Sequence, residues 1–188
     1  MRSLRNNARR LAALGLSVAL SGAAVVLTQA PAQAAPLCSD HALVSYADTH
    51  HPLVVTVETT WAGNDYAKLR ARKTSVGTNE KFRYCWYTDQ GYYTIQAKAN
   101  NRYVTAENGF SGDWKGVLRA TATSVGDRQK FRITAGAGGS SEYSKLQNVE
   151  SGKFVSAEMT WSGDIKGILR ARANSAGAYE RFQSPSAH

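Results

Sequence analysis

Three consecutive stretches of this chain carry one pattern. Val54–Phe82 (VVTVETTWAGNDYAKLRARKTSVGTNEKF) aligns without a gap to Tyr103–Phe131 (YVTAENGFSGDWKGVLRATATSVGDRQKF) and to Phe154–Phe182 (FVSAEMTWSGDIKGILRARANSAGAYERF). Glu58, Glu107 and Glu158 recur at separations of 49 and 51, as do Gly77, Gly126 and Gly177. A period near 50 residues means one small supersecondary unit copied, with no copy able to bury its apolar face alone. Three copies make either a short solenoid or one closed body with threefold symmetry. A recognition site built from such a unit is expected in triplicate.

Within each copy the period is two. In the first, Val55 and Val57 alternate with Thr56 and Glu58, the pattern of a half-buried strand. A turn follows at Ala62-Gly63-Asn64, and a second strand places Leu69 and Ala71 opposite Arg70 and Arg72. Ser75-Val76-Gly77 turns again, and Lys81-Phe82-Arg83-Tyr84 opens another strand. Upstream strands are expected at Val44–Asp48, Tyr93–Ala97 and Tyr143–Asn148, giving four strands per unit and twelve in all. Glu58 and Arg70 are equidistant from position 64, Glu107 and Arg119 from 113, and Glu158 and Arg170 from 164. That spacing predicts hairpins in which each Glu faces its Arg on the outward side as a solvated ion pair.

The first 34 residues stand outside the pattern. Arg2, Arg5, Arg9 and Arg10 precede an apolar run from Leu11 to Leu27, and Ala32-Gln33-Ala34 follows. Basic, apolar and then small residues spell a secretory signal cleaved after Ala34. The run is short and rich in Gly, Ala and Ser, so an exported product is expected rather than an anchored one. Arg9-Arg10 leaves twin-arginine export open. The formal charge of +9 includes those four arginines. Residues 35–188 keep 19 basic against 14 acidic side chains, interspersed along the sequence. Nucleic-acid binding calls for a clustered basic face, and none is visible in this order of residues.

The remaining 154 residues fit a single domain, 35–188, with repeats at about 38–86, 87–136 and 137–188. Such a chain buries roughly 70% of its unfolded surface. Cys38 and Cys85 are its two cysteines. In an exported protein an even count points to a disulfide, worth about 4 kcal/mol on the loop-entropy account; two separate buried thiols are the alternative.

Three four-stranded units are too few for a propeller. A threefold barrel capped by three hairpins, the β-trefoil, fits both strand count and length. Gly152-Lys153-Phe154-Val155-Ser156-Ala157-Glu158, then Ile168–Arg172, then Ser175–Phe182, resembles the repeat of the fascin-like, actin-cross-linking-type β-trefoil family. Copy two shows it through Arg102–Glu107, Val117–Ala120 and Ser124–Phe131, whereas copy one has His51-Pro52-Leu53 in place of the Gly-Lys turn. The resemblance implies an all-β trefoil over nearly all of residues 35–188. It also implies that Cys38 and Cys85 are neighbours, because a trefoil unit's first strand pairs with its fourth. Fascin-like trefoils occur attached to bacterial glycan-degrading enzymes, so the resemblance implies glycan binding; by analogy with animal fascins, actin binding is the alternative. Some trefoils inhibit proteases, and the irregular segment Gly136–Glu142 is the candidate loop for that.

Catalytic and metal-binding signatures are missing from the sequence. His50 and His51 are adjacent rather than four apart, and His41 and His188 have no evident partner. Gly136-Ala137-Gly138-Gly139-Ser140-Ser141 lacks the lysine of a phosphate loop and reads as a connector. Gly109-Phe110-Ser111-Gly112 is one residue short of a nucleophile elbow. The expectation is therefore a monomeric, non-catalytic binding module without cofactor or metal. Its candidate ligand residues sit at the hairpin tips. Trp61, Phe110 and Trp161 are equivalent, each followed by a glycine and then by Asn64, Asp113 or Asp164. A ring covers the apolar face of a sugar while an amide or carboxylate fixes its hydroxyls. The alternative is that the rings close one end of the barrel. Trp114 has no aromatic counterpart in the other copies and is expected at the surface.

Overall fold

The computed structural model describes residues 34–48, 50–135 and 143–183. The proposed signal segment and the Gly136–Glu142 loop therefore lie outside the described residues, apart from Ala34 at the start. Among the described residues every regular element is a strand or a single turn of 3-10 helix.

The strands are β1 Leu37–Ala42, β2 Val44–Ser45, β3 Leu53–Val57, β4 Leu69–Lys73, β5 Lys81–Tyr87, β6 Tyr92–Ala97, β7 Arg102–Ala106, β8 Leu118–Ala122, β9 Lys130–Ala135, β10 Ser144–Asn148, β11 Phe154–Ala157, β12 Leu169–Ala173 and β13 Phe182–Gln183. The thirteenth arises because the first strand of copy one starts earlier than expected and breaks at Leu43. Its two halves serve different neighbours: β1 pairs with β5, and β2 pairs with β13 and β3. Residues 37–41 are exposed, so no apolar alternation marks β1 in the sequence.

Antiparallel pairing runs β1-β5-β6-β9-β10-β13-β2, which returns to the starting strand and closes a barrel. Hairpins β3–β4, β7–β8 and β11–β12 stand off it, each with a register shift at the same place: Val54/Val55, Tyr103/Val104 and Phe154/Val155. A shared bulge at equivalent positions is a built feature of the repeat and bends the strand that carries it. Three equivalent units around a closed barrel make this an all-β fold of the β-trefoil class.

The core follows from the period-two alternation. Val55, Val57, Leu69 and Phe82 are buried to 2% exposure or less, and so are Val104, Ala106, Leu118 and Phe131, and Val155, Ala157, Leu169 and Phe182. Each larger aliphatic or aromatic among them contributes about 1.5–3 kcal/mol. A 3-10 turn leads into the last strand of each unit. There the Gly77, Gly126 and Gly177 amides donate to the side chains of Glu80, Gln129 and Glu180. Gln129 reaches on to Thr105, and Ser156 donates to Glu180, tying those turns to β7 and β11. Cys38 faces Cys85 across β1–β5, and the two form a disulfide.

Tyr84 is 1% exposed, and its hydroxyl has no hydrogen-bond partner among the described residues. Burial pushes the phenol's pKa well above its ordinary value. The native state thus holds a proton that the unfolded state releases above about pH 10. This group's share of stability is constant below that pH and is lost as pH rises through it. Tyr84→Phe is expected to leave stability at neutral pH unchanged or raised by up to about 1 kcal/mol, and to flatten the alkaline decline. Urea melts at neutral and alkaline pH test this; a loss at neutral pH would mean the hydroxyl is bonded.

Candidate functional site

The three hairpin tips meet at one end of the barrel and grip one another in a cycle. Arg119 of copy two donates from Nε to the Tyr66 carbonyl and from Nη2 to the Gly63 carbonyl of copy one, both at 3.0 Å. Arg170 of copy three does the same to Lys115 and Gly112 of copy two, at 3.2 Å each. Arg70 of copy one completes the ring on Lys166 and Gly163 of copy three, at 3.0 and 3.3 Å. Backbone bonds follow the same cycle, from the amides of Ala120, Ala171 and Ala71 to the carbonyls of Ala67, Gly116 and Gly167. The tips are therefore fixed to one another and form a rigid platform.

The glutamates hold these arginines, but in another register and environment than the spacing predicted. Thr56 faces Arg70 and Val57 faces Leu69, so the ladder is centred one residue before position 64. Glu58 instead exchanges both backbone hydrogen bonds with the Ala67–Lys68 segment. The Glu–Arg contacts are diagonal and long: 3.7 Å for Glu58–Arg70, 3.5 Å for Glu107–Arg119 and 3.6 Å for Glu158–Arg170. Nor are they solvated, since Glu58 and Glu158 are 3% and 2% exposed. The neighbouring copy's tip covers that side of the hairpin.

Closer partners are Arg72, whose Nε lies 2.6 Å from Glu58, and Arg172, which binds Glu158 through Nε and through Nη2 at 2.9 Å. In copy two Thr121 takes that place and donates to Glu107 at 3.5 Å. Burial pulls the guanidinium pKa of Arg70 and Arg170 below the ordinary range, against the opposing pull of Glu58 and Glu158.

Trp61, Phe110 and Trp161 are all half-buried, each with a cation over its ring. Lys68 Nζ stands 4.2 Å from the Trp61 centroid, Arg119 Cζ 5.9 Å from Phe110 and Arg170 Cζ 5.1 Å from Trp161. Such a contact holds a ring in place and is worth about 0.5–2 kcal/mol. Asn64, Asp113 and Asp164 are exposed in the 3-10 turns Gly63–Asp65, Gly112–Trp114 and Gly163–Ile165. Trp114 is half-buried, and its ring centroid lies 5.7 Å from Lys68 Nζ in the adjacent copy.

Lys68 itself was missed. It is fully buried, paired to Asp65 at 2.6 Å, and occupies the station held by Val117 and Ile168 in the other copies. The signal was available in the alignment: a lysine at an otherwise aliphatic position, with an aspartate three residues before it. Among the described residues, no group of three or more His, Cys, Asp or Glu side chains converges to hold a metal. No helix among them is long and apolar enough to cross a membrane.

No protein-family model and no curated protein matches the chain. Solved structures do. A designed threefold symmetric protein, ThreeFoil, is 25% identical, with a TM-score of 0.60 over 77% of this chain and 96% of that one. A Macrolepiota procera ricin B-like lectin in complex with lactose is 13% identical, with a TM-score of 0.53 over 82% of this chain and 96% of the lectin. An exo-β-1,3-galactanase from Clostridium thermocellum matches at 17% identity and a TM-score of 0.61, over 77% of this chain and 29% of the enzyme. These likenesses, and the pairing order of the strands, make the chain similar in fold to β-trefoils.

Proposed function

We propose that this protein is an exported, non-catalytic β-trefoil that binds polysaccharide or cell-surface glycan through its hairpin-tip platform. One observation carries the reading. Trp61, Phe110 and Trp161 present half-exposed rings at equivalent stations, each three residues before an exposed Asn64, Asp113 or Asp164, on tips locked into one rigid body. The structural likeness to a lectin solved with lactose and to part of a galactanase supports it, as does the fascin-like pattern of the repeats. A disulfide suits the oxidising conditions met on export.

The energetics favour a polymer. Covering about 100 Å² of ring surface yields on the order of 2.5 kcal/mol before ordering costs, so one site with a hydrogen bond or two reaches about millimolar affinity. Three such sites on one body gain avidity on a repeating ligand. Retention on insoluble chitin, cellulose, β-glucan or peptidoglycan is therefore expected. The triple change W61A/F110A/W161A should weaken retention by about 100-fold or more, while each single change costs far less. Thermal melts of the same variants establish that they fold. Retention on none of these polymers, with capture of a protease or of actin filaments instead, overturns the reading.

A further inference from the structure

The threefold scaffold gathers more cations at one junction between copies than at the other two. A cleft of about 560 Å³ opens between the tip of copy two and the strands of copy three. Lys115, Arg128, Lys153, Arg170 and Arg172 line it, with Glu150 as the acid among them. Its volume falls within the range of small-ligand sites. Among the described residues the Lys115 ammonium has no acidic partner, and Lys153 bonds to the neutral Asn174 carbonyl. Arg128 shares a half-exposed Glu150 at 3.3 Å, and Arg170 and Arg172 share Glu158 beneath. Against five cations stand Glu150, Glu158 and Asp113, whose charge also acts on Arg170, so the cleft keeps an excess of two positive charges.

A purely structural role would recur in each copy, as the Arg70, Arg119 and Arg170 cycle does. Of the others, Lys115 recurs as Lys166, Lys153 as Arg102 and Arg172 as Arg72, while Arg128 has no cationic counterpart, so no other junction gathers them all. The equivalent positions at the junction of copies one and two are Tyr66, Asn79, Arg102, Arg119 and Thr121, two of them cations. Those at the junction of copies three and one are Lys166, Tyr179, Leu53, Arg70 and Arg72, three of them cations. The interlocking arginine is common to all, and the surplus at copies two and three comes from side chains outside the arginine-to-carbonyl cycle.

We infer that this cleft is an acidic-sugar subsite, which takes the carboxylate of a uronic acid residue in the bound polysaccharide. The inference rests on the glycan-binding reading and narrows its ligand class. Guanidinium and ammonium groups converging on one pocket suit a single carboxylate, which a guanidinium can meet with two parallel N–H donors. A nucleic-acid strand needs instead a track of cations along several phosphates. The symmetric tip sites supply stacking, and this cleft adds charge selection on one side of the platform.

Polygalacturonate and its fully methyl-esterified form separate charge from sugar identity and serve as the paired probes, measured by calorimetry at about 50 and 200 mM salt. The acidic polymer is expected to bind about tenfold more tightly at the lower salt, and the advantage should shrink at the higher. K115Q/K153Q should remove that advantage, whereas K73Q/R102Q, which deletes equal charge elsewhere, should change it by less than about twofold. Equal affinity for both polymers defeats the subsite but leaves the glycan reading standing. No binding to either pectin, with retention on a neutral insoluble glycan, does the same; loss of all glycan binding defeats both. An equal effect from the control pair reduces the cleft to net charge. Tighter binding of polyphosphate or single-stranded DNA than of polygalacturonate assigns the cations to a different partner.

Discussion

Glu158→Gln should destabilise the protein by about 3 kcal/mol or more, while the same change at Glu107 should cost only about 1 kcal/mol. The two residues are equivalent in sequence and not in circumstance. The Glu158 side chain is 2% exposed and neutralises both Arg170 and Arg172, whereas Glu107 is 14% exposed and meets a single cation, Arg119, at 3.5 Å, beside the neutral Thr121 hydroxyl. Removing the charge from Glu158 leaves a largely buried Arg170 uncompensated, and breaking such a pair from one side costs far more than the pair is worth. Arg170 also anchors the copy-two tip through the Gly112 and Lys115 carbonyls, so the loss should spread across the copy-two/copy-three junction. Urea melts of both variants give the comparison. Adding Arg172→Gln to Glu158→Gln should cost less than the separate losses combined, the mark of coupled neighbours. Equal, small losses at both positions would mean that the glutamates are solvated after all.

That contrast shows where the sequence stops being readable. Three gapless copies were enough to predict strands, closure and core, because Val55, Leu69 and Phe82 and their equivalents follow a local period that burial must respect. The disulfide followed once a trefoil unit's first strand was expected beside its fourth. The Glu–Arg pairs misled for a physical reason. Alternation separates the two sides of a hairpin, but it cannot say that a neighbouring copy covers the polar side. Their symmetric spacing about position 64 also ignored the asymmetric turn, where the Ala67 amide bonds to Glu58 and moves the ladder's centre.

The basic cleft was invisible for a related reason. Lys115, Arg128, Lys153, Arg170 and Arg172 are spread over more than fifty residues of sequence, and only the closed threefold arrangement gathers them. The tip aromatics were legible as residues, but their half-burial depends on how each hairpin folds its own Lys68, Arg119 or Arg170 back over the ring.

Gly167→Ala is expected to cost about 2–4 kcal/mol, or roughly 6–12 °C in melting temperature, and Gly163→Ala only about 1–2 kcal/mol. Both glycines lie in the copy-three hairpin at positive φ, +62° for Gly163 and +77° for Gly167, so each pays for a left-handed residue. They differ in what a methyl group would meet. At Gly163 no atom lies within 4 Å, whereas at Gly167 the Ala71 carbonyl oxygen would be 2.3 Å away. That carbonyl belongs to the first copy, and the Gly167 carbonyl in turn accepts from the Ala71 amide, so the hairpins touch backbone to backbone. Gly116 is in the same position against Ala171, at 2.5 Å. The first copy carries Ala67 there instead, at φ +57°, in the tip where buried Lys68, paired to Asp65 and set over Trp61, stands in for Val117 or Ile168. A methyl at this station is thus tolerated only with a rebuilt tip, which copy three lacks. If the two alanine variants melt alike, the close approach is not what locks the platform. A larger loss at Gly167 would tie the rigidity of the proposed binding face to a backbone contact that no side chain can replace.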